Sequence, residues 1–276
     1  IIPLFWVGFP IALLLIVGGI ANTPRERPDF MGRSGENPFK ALGDVLRNRH
    51  ARLLLFVFFI ESIGSGGIGT LTPVVIQHVM KMSSEVTRNM LAWNFSCALL
   101  AVPVWIWLAR RFEKRHLWLF AMVQSGIGYG LIFWVGEGTW ELMALSSFLA
   151  GTAMACGNTL GYSLKAEVID YDEYETGERK EGAYFAGWSF VSKLAGGVMV
   201  WVVGQTLDLV GYVGGAPEQS VSVQNAMLVL MGGVPMVGFA IGSLAFTRYS
   251  LSEAQHARIR RELDERAARQ EHLADE

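Results

Sequence analysis

Lys193 is the residue hardest to reconcile with its neighbours. It stands in the run Val191-Ser192-Lys193-Leu194-Ala195-Gly196-Gly197-Val198, inside a longer stretch with no other charge until Asp208. That stretch starts near Gly182, so at about 1.5 Å per helical residue Lys193 lies ~16 Å along it. If the stretch crosses a bilayer, the ammonium sits near the midplane, too deep for its own side chain to reach water. Ionisable groups at that depth face a cavity or a partner and serve ion or solute movement. Glu61 is a second such group, ~13 Å into an earlier apolar run by the same rise. It either answers Lys193 as a counter-charge, faces a water-filled path, or packs at an interface. A third cluster is the stretch 165–182, where seven acids surround Lys165, Arg179 and Lys180. Asp170, Glu173 and Glu181 with Arg179, and with Arg110 and Arg111 from the basic stretch 110–116, suit an ion-pair network that closes one state and opens in another. The plainer alternative is a solvated loop whose surface pairs are worth under ~1 kcal/mol each. Finally, Gly64, Gly66, Gly67 and Gly69 precede Pro73. In a membrane helix such a run allows either close packing or a flexible joint.

These groups need elements to hold them at depth, and the composition says which. Of the 276 residues, 51% are hydrophobic and 17% charged, against about 25% charged in ordinary soluble domains. The charges cluster in short stretches. Between them lie seven runs long enough to span a bilayer core, at 2–20, 52–80, 89–109, 117–136, 141–164, 183–210 and 225–247. Seven spans force the intervening segments to alternate sides. Segments 21–52, 110–116, 165–182 and 248–276 fall together and hold 20 of the 23 Lys and Arg residues, Arg110 and Arg111 included. The excess of basic residues places that side in the cytoplasm.

The predicted fold is therefore an all-α membrane protein with seven transmembrane helices. Residues 1–20 form one helix, and 21–51 a long basic loop containing an amphipathic helix that starts at Asn37-Pro38. Residues 52–247 form a six-helix bundle and 248–276 a polar cytoplasmic tail. Transporters built from two six-helix halves joined by such a loop have this layout. On that reading 1–20 is helix six and 52–247 are helices seven to twelve. The chain opens on Ile1-Ile2-Pro3 with no basic residues ahead of its first apolar run, so it is expected to be a fragment, with an N-terminal half as its missing partner.

Other classes fit poorly. Cys97 and Cys156 lie in apolar runs and suggest no disulfide framework. The five histidines are scattered, and no metal site, P-loop or dinucleotide motif is present. The basic stretches face a membrane, so nucleic acid is not an expected partner. An enzyme would need a catalytic set gathered at one depth, whereas Glu61 and Lys193 stand apart. No resident cofactor is expected. A secondary transporter is the leading reading, with a non-transporting membrane sensor or scaffold of the same fold as the alternative.

The stretch Asp170-Tyr171, Glu173, Thr176-Gly177, Arg179 and Glu181-Gly182 resembles the signature loop of the glycoside–pentoside–hexuronide:cation symporters, melibiose-carrier-like members of the major facilitator superfamily. Arg110-Arg111-Phe112 with Lys114 resembles that family's basic turn between helices eight and nine. Gly211-Tyr212 resembles its helix-eleven exit, and Tyr249, Leu251, His256, Ile259 and Leu263 its tail. The resemblance implies uptake of a sugar or related small solute with a monovalent cation, Na+ or H+, with a non-sugar solute carrier of the same fold as an alternative. The cation-binding carboxylates would lie mainly on helix two, in the missing half. It also implies that Lys193 is the helix-eleven lysine close to both the cation and sugar sites, and that Ser189 is a pocket position one turn earlier. Asn158 falls at a helix-ten position that is aromatic in the melibiose carrier, a departure that argues against a galactoside.

Overall fold

The computed structural model describes residue 43 and residues 45–274. The expected helix at 1–20, and the start of the amphipathic helix after Asn37, lie outside the described residues. Everything described that is regular is helical. The elements are α1 (Arg49–Gly66), α2 (Ile68–His78), α3 (Ser84–Ala109), α4 (Lys114–Gly130), α5 (Trp140–Thr176), α6 (Glu181–Leu209), α7 (Val221–Leu228), α8 (Val234–Phe246) and α9 (Glu253–Ala274). Five stretches are long and apolar enough to cross a membrane: Arg49–His78, Ser84–Ala109, Lys114–Trp134, Glu181–Leu209 and Val221–Phe246. They cover five of the six expected runs within 52–247. The sixth, α5, is diluted by Gly, Ala, Ser and Thr and does not reach the same apolarity. The expected count of seven is thus not reached among the described residues.

Three boundaries differ from expectation, each for a local reason. The run at 52–80 divides at Gly67, which sits in a turn between α1 and α2. The stretch 165–182 is mostly not a loop, because α5 continues through it to Thr176 and leaves only Gly177–Lys180 between helices. At 37 residues, α5 is about 55 Å long, well beyond the ~30 Å of a bilayer core. The acids of 165–176 therefore lie on the last turns of α5, where Glu167, Asp170 and Asp172 are buried. Gly177 ends it with φ 73°, and its N–H donates to the Glu173 carbonyl at 2.8 Å; that left-handed conformation favours glycine. The polar tail is also ordered, as the 22-residue helix α9.

Packing follows the small residues. α5 lies against α3 and α4, α8 against α1 and α4, α6 along α1, and α9 against α5. Between apolar helices in lipid, close van der Waals fit carries the association. A Cβ on Gly151 would come within 2.7 Å of the Asn94 carbonyl oxygen, and one on Gly128 within 2.9 Å of Leu149 Cβ. The Gly64–Gly69 cluster is largely packing of this kind: Gly64 meets Pro235, while Gly66 and Gly67 meet Met199. Gly69 alone of the four has open space. One core cluster, with Leu54, Trp118, Val168, Trp188 and Tyr249, closes the charged end. A second, with Val75, Ile132, Met199 and Met227, closes the opposite end.

The tight α3–α5 contact yields a stability prediction. Asn94 Nδ2 donates to the Ser147 carbonyl at 2.9 Å beside Gly151. Gly151→Leu should lower stability by about 1–3 kcal/mol through overpacking, seen as a lower Tm in detergent, while Gly69→Leu leaves Tm near that of the parent. Equal Tm values would mean that the contact is loose.

Candidate functional site

Two sites emerge, a cavity within the bundle and a charged network at one end. The cavity, about 240 Å³, lies among α1, α4, α5 and α8. That is slightly below the ~300–1,000 Å³ usual for small-molecule sites. Glu61, Ser62 and Ser65 face it from α1, Ser125 and Tyr129 from α4, Asn158, Tyr162 and Lys165 from α5, and Phe239 from α8. Asn158, Tyr162 and Lys165 recur at helical spacing, so one face of α5 forms a wall.

Lys165 and Glu61 are the two charged groups among the described residues lining it. Lys165 is 8% exposed. Its ammonium lies 4.3 Å from the Phe58 ring centroid, 4.7 Å from Tyr162 and 5.3 Å from Trp188. Each such contact is worth about 0.5–2 kcal/mol, while burying an ion costs several kcal/mol even after relaxation. The rings thus offset only part of the burial. The Glu61 carboxylate is not within ion-pair distance of Lys165, and its Oε1 is buried with no hydrogen-bond partner. Both ionisable groups therefore border the same space without being joined. Among the described residues no group of His, Cys, Asp and Glu could hold a metal ion.

Sequence reasoning placed Lys165 in a solvated loop and so missed it. The signal was its position seven residues after Asn158 and three after Tyr162, legible once the helix is known to continue. Glu61 and Asn158 do share the cavity. Lys193 and Ser189 do not line it. They sit one turn apart on the outer face of α6, both exposed, while Tyr184, Trp188, Ala195 and Met199 take the face packed on α1. The option of Glu61 as a counter-charge to Lys193 gives way to Glu61 sharing its cavity with Lys165.

The second site centres on Asp170, 6% exposed. Arg179 donates from one guanidinium nitrogen to Asp170 Oδ1 at 3.0 Å and Glu173 Oε2 at 2.7 Å, and from Nε to Glu181 Oε2 at 3.2 Å. On the other side, His256 Nε2 lies 3.0 Å from Asp170 Oδ2, and Arg260 lies 3.6 Å from Oδ1. Burial alone would raise the Asp170 pKa. The hydrogen bonds from His256 and Arg179, with the charges of Arg179 and Arg260, outweigh it and hold the carboxyl below its ordinary value. Lys114 pairs with Glu167 and donates to Ser163 at 3.0 Å. Its backbone N–H donates to Glu253 at 3.1 Å. Asn48 caps α1 and donates to the Tyr184 hydroxyl and the Val168 carbonyl. One region thus ties together the starts of α1, α4, α6 and α9 and the end of α5. Arg110 and Arg111 were expected in this network. Both are exposed instead, and Arg111 stacks on Trp107 at 4.4 Å. Lys114, a turn later and partly buried, takes their place.

Residues 5–253 match the family described as MFS/sugar transport protein, nearly the whole chain. The chain belongs to that family. Among its relatives, an isoprimeverose transporter of Lactiplantibacillus pentosus is 27% identical over 272 residues, covering 96% of this chain and 55% of the relative. A glucuronide carrier protein homolog of Escherichia coli is 22% identical over 236 residues, 84% of this chain and 51% of the relative. A sodium-dependent lysophosphatidylcholine symporter of Danio rerio is 26% identical over 180 residues, 64% of this chain and 34% of the relative. The chain spans about half or less of the length of these relatives. The resemblance of the 170–182 motif to the glycoside–pentoside–hexuronide carriers agrees with this membership. As a member of the MFS/sugar transport family with several apolar helices, the chain is a multi-pass membrane protein.

Proposed function

We propose that this chain forms part of a cation-coupled symporter for a sugar, glycoside or related small solute, working by alternating access. The observation that carries the reading is the cavity lined by Glu61, Asn158, Tyr162 and Lys165 in a chain of a sugar-transport family. Hydroxyl-rich solutes suit a pocket that mixes aromatic faces with Ser, Asn and Tyr hydrogen-bonding groups. The coupling ion is Na+ or H+, held mainly by a second helical bundle. That bundle docks on the outer face of α6, so that Ser189 and Lys193 complete the site from there. Asp170, Glu173, Arg179 and Glu181 lie on the cytoplasmic side, set by the basic excess of 110–116 and 248–276, in a bacterial inner membrane. Their network favours the state closed to the cytoplasm. α5 crosses the membrane as a sixth span.

Counterflow tests this directly. Proteoliposomes carrying the whole gene product and preloaded with unlabelled sugar should draw in labelled sugar with no ion gradient. Imposed Na+ and H+ gradients then identify the coupling ion. Absence of counterflow across neutral and acidic sugars would favour a non-transporting sensor or scaffold. A second reading, a carrier of an amphiphilic non-sugar solute, is favoured by the aromatic lining of Phe58, Trp118 and Phe239. It predicts counterflow with lysophospholipid and none with sugars.

A further inference from the structure

The cavity holds a buried ammonium with no ion pair or hydrogen bond to a described residue, ringed by Phe58, Tyr162 and Trp188. A purely structural lysine at such a place would have a carboxylate or carbonyl against it, since an unpaired buried charge is costly. Three aromatic rings fix the side chain in place and leave its donors for something else. The cavity beside it is open to a solute, and Asn158 and Tyr162 stand within a turn or two on the same wall. Among the described residues one acid borders the same space, Glu61, and its carboxyl oxygen Oε1 has no partner.

Resting on the sugar-transport reading, we propose that Lys165 reads the charge of the solute, taking the carboxylate or sulfonate of an anionic sugar. The rings hold the stem of Lys165 and leave its ammonium donors for the anion's oxygens, while Ser62, Ser65, Asn158 and Tyr162 on the same cavity offer hydrogen-bonding groups to the sugar's hydroxyls.

The test uses the whole gene product in proteoliposomes with D-glucuronate, a sulfonated glucose and neutral methyl glucoside as probes. The parent should bind one or both anions at least about tenfold tighter than the neutral glycoside, the better of the two naming the group read. Lys165→Met should lose the preference, binding the anions no tighter than the neutral glycoside, at normal membrane levels. Lys165→Arg should keep part of the preference. An anion preference that survives in Lys165→Met, or a parent that prefers the neutral glycoside, overturns the inference and leaves the sugar reading standing. Failure of the parent to bind any of the three removes the sugar reading, and this inference with it.

Discussion

Lys193→Met, in cells expressing the whole gene, should abolish ion-driven accumulation of solute while leaving membrane levels and Tm at or above those of the parent. Both halves of that outcome follow from where Lys193 sits. Its side chain is exposed on the outer face of α6 and packs into none of the core clusters. Nothing in the bundle therefore relies on it for packing. A charge near the middle of a span carries a cost of at least ~2.5–3.5 kcal/mol unless a partner or water relieves it. Methionine removes that cost and keeps the length. A lysine retained against such a cost has work to do, and under the proposed function that work is ion–solute coupling against the docked bundle. Accumulation should fall by about a hundredfold or more, as for loss of a buried charge pair costing roughly 3–5 kcal/mol. Lys193→Arg should restore some of it. Solute exchange without an ion gradient should suffer less than accumulation. Normal ion-driven accumulation by Lys193→Met at normal expression would remove this residue from the mechanism.

Arg179→Ala should slow transport by about tenfold or more with little change in protein level. Arg179 joins three acids, two on the last turns of α5 and one on the first turn of α6. It is partly exposed, so its loss should not unfold the bundle. Without it, Asp170 keeps His256 and Arg260, but the α5–α6 connection loses its clamp. Arg179→Lys should recover only part of the rate, because an ammonium cannot reproduce a planar fork reaching several carboxylates. The same network predicts a pH dependence. Asp170 has a folded pKa below its unfolded value near 4. Its stabilising contribution is therefore complete above about pH 5 and is lost as pH falls through the depressed folded pKa. Limited proteolysis of α9 should show the helix held at neutral pH and released in strong acid. In Asp170→Asn the release should no longer track acid. Parent-like transport in Arg179→Ala would end the gating role.

The way the two sites came into view differs for physical reasons. Apolar runs, and basic residues gathered on alternate connections, are one-dimensional signals, because a bilayer acts on each segment by its length and charge alone. The helices Ser84–Ala109 and Glu181–Leu209 and the apolar run ending at Phe246 could therefore be read within a few residues. The motif of Asp170, Glu173, Arg179 and Glu181 was equally legible, since its partners lie within about three helical turns of one another.

What chain order alone could not decide was partnership between distant elements. Lys165 looked like a loop cation because acids follow it. Only the continuation of α5 to Thr176 turns it inward, and only the packing of α1 and α6 brings Phe58 and Trp188 around it. His256 reaches Asp170 across 86 residues of chain. Lys114, not Arg110 or Arg111, meets Glu167, because it opens α4 against α5, whereas Arg110 caps α3 and Arg111 lies in the turn after it. By itself the sequence determined a helical membrane protein, its family and the chemistry available at each depth, since hydrophobicity and charge are properties of single segments. The tertiary structure decided which charges share a cavity and which face outward, since rotation and close approach of helices depend on small residues such as Gly151 and Gly64 meeting neighbours far away in the chain.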